Sequence, residues 1–211
     1  MNTMEILNFL ARWGHVLFGI TWIGLLYYFN FIQGGYFKKA TPEALADAKK
    51  NLAPEALWWF RWGAMMTFLT GLILLMGVSK LNVMNDYIVI GALLGTFMFL
   101  NVWLVIWPNQ KIALGMVDGD APKAAGKALL ASRTNTLFSG PMVFFMLASP
   151  HFSGGYGHGW GSTGMWGCVV LIALLEVNGL VGKQGPMASV RGVIVSSLVL
   201  TGAFVAVLKL V

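Results

Sequence analysis

Apolar residues dominate six long stretches of the chain, at about 5–34, 56–79, 86–107, 128–150, 164–182 and 189–210, and polar residues collect between them. A helix rises 1.5 Å per residue and needs about 20 apolar residues to cross some 30 Å of hydrocarbon, so each stretch has the length of a span. The pattern predicts an all-α fold: an integral membrane helical bundle of about six transmembrane helices, forming one domain over residues 1–211. After the first span, Lys38 to Pro54 is polar, and its Thr41-Pro42-Glu43 start with an alanine-rich body predicts a short surface helix. Span two opens on Trp58, Trp59, Phe60 and Trp62, an aromatic cluster suited to a membrane interface. Trp107-Pro108-Asn109 is expected to stop span three and to leave residues 109–127 as a second polar connection. Span four differs from the rest, because Ser132-Arg133-Thr134-Asn135-Thr136 fills its first half and Pro141 is expected to interrupt it. No internal repeat is evident.

Composition agrees with the pattern. Of 211 residues, 57% are hydrophobic and only 10% charged, which separates the chain from ordinary soluble domains. The net charge of +6 does not point to nucleic acid, since the cations lie at loop ends rather than clustered with aromatics on a soluble face. Their distribution instead sets topology. The loops after spans one, three and five, with the span ends beside them, hold Lys38, Lys39, Lys49, Lys50, Arg61, Lys111, Lys123, Lys127, Arg133, Lys183 and Arg191, eleven of the fourteen Lys and Arg. Only Arg12, Lys80 and Lys209 lie toward the other side. The positive-inside rule makes those three loops cytoplasmic and places both termini on the periplasmic side of a bacterial inner membrane, with the Gly-rich loop from Ser153 to Gly164 outside as well. Glu5 precedes an apolar run too long for a signal-peptide core, so the first span is expected to stay in the mature protein. Cys168 is the single cysteine, which excludes an internal disulfide and a cysteine metal cluster.

Polar residues inside the spans are where chemistry is expected, because lipid makes them costly. Arg12, His15, Gly19 and Trp22 follow offsets of three, four and three, so they share one face of the first helix. His15 stands about ten residues, or roughly 15 Å, into that helix. Intramembrane histidines serve as axial ligands of haem iron and as ligands of copper or zinc. Arg12 suits a haem propionate, and Gly19 with Trp22 suits the ring. The alternative is that His15 bonds a neighbouring helix while Arg12 snorkels to the headgroups. His151, at the outer end of span four, and His158, in the external loop, lie on the same side as His15, with His158 read as a loop residue rather than a ligand. Toward the cytoplasmic side, Glu176, Asn178, Asn101, Asn30, Arg133 and Asn135 form a second candidate cluster. Glu176 there must be neutral or meet a cation such as Arg133, and the cluster reads as interhelical glue or as a proton route. The methionines read as packing and Ser139-Gly140-Pro141 as a kink. Nucleotide-binding and haem-attachment motifs are missing.

Several of these stretches together resemble one family. Arg12-Trp13-Gly14-His15-Val16 with Gly19-Ile20-Thr21-Trp22-Ile23-Gly24, then Leu52-Ala53-Pro54-Glu55 through Trp59-Phe60-Arg61-Trp62, then Trp107-Pro108-Asn109-Gln110, then Met146-Leu147-Ala148-Ser149-Pro150-His151-Phe152 are similar to the membrane domain of the bacterial membrane-bound urate oxidases, or urate hydroxylases. The opening motif alone is also similar to the starts of copper-resistance D proteins and of the haem-containing membrane protoporphyrinogen oxidases. The resemblance implies a membrane redox protein holding haem b, or copper, near its outer face. His15 would be an axial ligand and His151 the second, with an external cytochrome c as electron partner. The chain also departs from the family pattern, which has histidines where Ala56, Trp58 and Thr134 stand, and it ends at Val211 without the family's cytochrome c domain. Urate oxidation by this chain is therefore not expected. A rival expectation follows: a non-catalytic accessory subunit without cofactor, packed in a larger respiratory, photosynthetic or oxygenase complex.

Overall fold

The structure, a computed structural model, describes residues 3–152 and 160–210. Among them the chain forms six long helices and no strand: α1 (Thr3–Phe37), α2 (Pro42–Lys80), α3 (Asp86–Ala113), α4 (Ala121–Phe152), α5 (Thr163–Val181) and α6 (Val190–Leu210). All except α4 are long and apolar enough to cross a membrane. The protein is thus an all-α membrane protein. Large side chains such as Trp13, Ile20, Leu104, Leu174 and Leu198 are exposed around the bundle, where lipid replaces water as their solvent.

The exception, α4, is the hub. It carries the least apolar sequence, yet every residue from Arg133 to Ser139 is buried, so this stretch is covered on all sides by protein. Four helices supply that cover. Tyr27 on α1 shares a 2.9 Å hydrogen bond with Ser139, and Asn135 donates to the Met98 carbonyl of α3 at 2.9 Å. A β-carbon on Gly179 of α5 would stand 2.6 Å from Thr134 Oγ1, and one on Gly140 of α4 would meet Ser197 of α6. Hydroxyl and amide groups are unfavourable against lipid but can be satisfied against other helices, which is why the most polar helix lies inside. Helix α2 does not join this ring. It lies along α1, and it meets α3 through a flat Phe68–Phe99 stack with centroids 4.2 Å apart and an edge contact of Trp62 with Trp103.

Two expected breaks are absent. The polar segment after span one does not stand apart as a surface helix; it continues into α2 through a π-helical turn at Ala48–Leu52. Likewise α3 passes through Pro108, after a π-helical turn at Asn101–Ile106. Both Pro54 and Pro108 begin the α-helical stretch that follows such a turn. In each case the residue before the proline still bonds five positions back, Ala53 to the Ala48 carbonyl and Trp107 to the Val102 carbonyl, and the wider turn makes room for a ring that would press on the carbonyl four positions back in a regular helix. Pro141 lies inside α4 without ending it. A third π-helical turn, Tyr28–Gln33, sits in α1, so all three lie toward the end of the bundle formed by the loops after α1 and α3.

Candidate functional site

The first candidate face of α1 lies against α2. Thr67 and Thr70 come from one turn of α2 and Gly63 and Gly71 from the turns beside it, and these small residues let the two helices approach closely. A β-carbon on Gly63 would stand 3.3 Å from the backbone nitrogen of Trp22, and one on Gly71 would stand 3.1 Å from His15 Cε1. The imidazole therefore lies over bare backbone. Its Nδ1 is 2.9 Å from the Thr67 carbonyl and 3.3 Å from Thr70 Oγ1, and both hydrogen bonds of the ring are at that nitrogen. Because a carbonyl can only accept, Nδ1 carries the hydrogen and the Nε2 lone pair is left for another partner. The Thr70 hydroxyl is itself turned toward the Met66 and Thr67 carbonyls, at 2.7 and 3.0 Å, leaving its oxygen lone pairs toward the ring.

The remaining members of that face differ in their surroundings. Arg12 is exposed one turn toward the N-terminus, Gly19 faces the Thr67 methyl, and Trp22 is fully buried with its indole N–H unpartnered. His151 is exposed at the end of α4. Counting from the Tyr27–Ser139 bond, twelve residues back along α1 reach His15 and twelve forward along α4 reach His151. Both histidines thus lie at about the same depth, some 18 Å from that bond, but twelve residues also turn a regular helix about 120° away from its facing stripe. His15 accordingly faces α2 rather than α4. His158 lies outside the described residues. Among the described residues no three His, Cys, Asp or Glu side chains are grouped to hold a metal ion.

The second constellation sorts into four parts. Asn101 on the π-helical turn of α3 donates to Asn135 Oδ1 on α4 at 3.0 Å and to Glu176 Oε2 on α5 at 3.1 Å. With the Asn135 bond to Met98, these three buried side chains tie three helices together. Asn30 is buried apart from them, on the π-helical turn of α1, donating to the Leu26 carbonyl at 2.9 Å and to Ser132 Oγ at 2.7 Å. Asn178 belongs to neither group; it bonds the Lys183 backbone on both sides and closes the end of α5. Arg133 is buried with Nε and Nη1 unpartnered, and among the described residues no ion pair joins it to Glu176. The pairing of that carboxyl with Arg133 is thus replaced by an amide contact, and the network has the form of interhelical glue rather than a chain of carboxylates.

A match to known sequences covers the second constellation except Asn30 and leaves the His15 face outside it. Residues 80–184, close to half of the chain, match the family model described as urate oxidase N-terminal. The chain belongs to the urate oxidase N-terminal family. That region runs from the end of α2 through α5 and includes the Asn101–Asn135–Glu176 network. No curated protein and no solved structure matches the chain significantly.

One arrangement lay beyond sequence reasoning. Arg61 of α2, which the sequence marks only as a topology signal, places its guanidinium carbon 3.7 Å from the Trp107 ring centroid and 5.8 Å from that of Trp103, both on α3. Arg61 and Trp107 are 46 positions apart, and nothing in either local pattern signals their stacking. The tryptophans around Arg61 were the available hint.

Proposed function

We propose that the chain is a membrane redox domain of the urate oxidase N-terminal family, with His15 as the protein ligand of a b-type haem or, as the second choice, of copper. In this reading it passes electrons to or from a cytochrome c or a larger complex at the periplasmic face of a bacterial inner membrane. The observation that carries it is the His15–Thr67 bond, which commits Nδ1–H to a backbone carbonyl and leaves the lone pair on Nε2. Metal-ligating histidines are held in that way, one ring nitrogen on the ion and the other on a carbonyl or carboxylate. Haem, when bound, would supply a one-electron couple. The chain's own part is to fix the imidazole over Gly71, to keep its tautomer through Thr67 and Thr70, and to offer the exposed Arg12 guanidinium to an acidic edge of the ligand. His151, at about the same depth on α4, is the candidate for the second ligand.

The second reading is an accessory subunit without cofactor. It is favoured by His151 standing exposed at a helix end, and by Trp58 and Thr134 at positions where the family resemblance expects histidine. Haem and copper content of freshly purified, folded protein separates the two readings. About one haem or copper per chain supports the redox domain. A cofactor-free protein that migrates with a large assembly on native gels supports the subunit and overturns the first reading.

A further inference from the structure

We propose that a cavity between α2 and α3 binds the phosphate of an anionic, hydroxyl-bearing phospholipid of the phosphatidylglycerol type. The cavity measures about 440 Å³ and is walled by Pro54, Trp58, Trp59, Trp107 and Met116, with Arg61 and Glu55 as its charged groups. The Arg61 guanidinium carbon stands 3.7 Å from the Trp107 ring centroid, so the ring occupies one side of the group and its N–H groups remain for bonding. One edge nitrogen, Nη1, is buried with no acceptor, and no ion pair among the described residues neutralises the guanidinium. Lys111 adds a second cation, its Nζ 5.7 Å from the same Trp107 ring. A phosphodiester in the cavity gives the guanidinium the anionic partner it lacks, through charge-assisted N–H···O bonds.

Position and charge balance select the source of that phosphate. Trp58 and Trp59 are exposed beside Arg61, as tryptophans are at the headgroup level, and this end of the bundle carries most of the cations. Headgroup phosphates lie at that depth, and the exposed apolar side chains of α2 and α3, including Leu69 and Leu104, continue into the acyl region. Arg61 and Lys111 against Glu55 leave one net positive charge, which matches one phosphodiester anion. Glu55 can accept from a headgroup hydroxyl and disfavours a second negative charge.

The test is lipid retention by the full chain. Protein exchanged from mixed phosphatidylglycerol and phosphatidylcholine into excess phosphatidylcholine nanodiscs is analysed by native mass spectrometry. The expected result is one retained phosphatidylglycerol per chain and none of the choline lipid in its place. R61Q, which keeps much of the stacking surface and removes the charge, should weaken retention about tenfold, the loss expected for one charge-assisted bond. K111Q should weaken it less, and K80Q, at the opposite end, should leave it unchanged. Should R61Q fail to fold, K111Q and the lipid selectivity of the unaltered protein still decide. Equal retention of both lipids, retention unaffected by R61Q and K111Q, or displacement by millimolar inorganic phosphate each overturns the proposal, the last by showing a free-anion pocket.

Discussion

Gly179 on α5 faces Thr134 on α4 so closely that a β-carbon there would stand 2.6 Å from Thr134 Oγ1 and 2.9 Å from Cγ2. Neither atom can swing away freely, because Thr134 is buried and its hydroxyl bonds the Leu130 carbonyl at 3.1 Å. G179A should therefore destabilise the bundle by about 1–3 kcal/mol through overpacking. Adding T134A should recover part of that loss, and a double-mutant cycle of unfolding in detergent measures the coupling. Additive effects would show that α4 and α5 do not meet there. His15 illustrates the opposite economy: Gly71 leaves room for a ring rather than for a second helix's side chain, and the ring then has one nitrogen bonded and one free. A histidine serving only as interhelical glue is satisfied by the same Thr67 bond, so a metal on the second nitrogen is what distinguishes the ligand reading.

Long helices that keep their course through proline need a local reason, and π-helical turns supply it at Pro54 and Pro108. P108A should alter stability by no more than about 1 kcal/mol, since the wide turn already accommodates the ring and the substitution changes at most one helix bond. L94P, in the buried middle of the same helix, should cost about 3 kcal/mol or more. Thermal or denaturant unfolding of the two variants compares them directly, and a large gain in stability from P108A would mean that the proline strains α3. The six helices were legible in the sequence because runs of some 20 apolar residues admit few other structures in lipid. The π-helical turns were not: two of the three carry Asn30 and Asn101, whose partners lie on α4 and α5, far away in sequence. The polar Ser132–Thr136 stretch stands out in the sequence as unusual, whereas its place at the centre of the bundle follows only from the helices that surround it. Of the candidate site, the shared face of Arg12, His15, Gly19 and Trp22 was readable from spacing. Its partner surface on α2 was not, since Thr67, Thr70 and Gly71 look like ordinary small residues of an apolar span.

The bundle as a whole has one end rich in cations, tryptophans and π-helical turns, and another holding His15 and His151. With the cation-rich end in the cytoplasm, single cysteines at Lys39 and Lys123, both exposed, should react with a membrane-impermeant maleimide only after the cells are permeabilised. Cysteines at Lys80 and Lys209 should react in intact spheroplasts, and the buried Cys168 should stay silent in both. The reverse pattern would invert the topology and put His15 on the cytoplasmic side. The two proposed roles fall at opposite ends of the bundle, lipid anchoring by Arg61 at the cation-rich end and ligand binding by His15 at the other. Ligand binding is decided most directly by the reduced-minus-oxidised optical spectrum of H15A beside that of the unaltered protein, each with and without added imidazole. The unaltered protein should show a haem spectrum, or a copper band, that is lost or converted to high spin in H15A and restored by imidazole entering the space left by the side chain. An identical spectrum in the two proteins, or a folded protein with no cofactor band at all, would contradict His15 as the ligand.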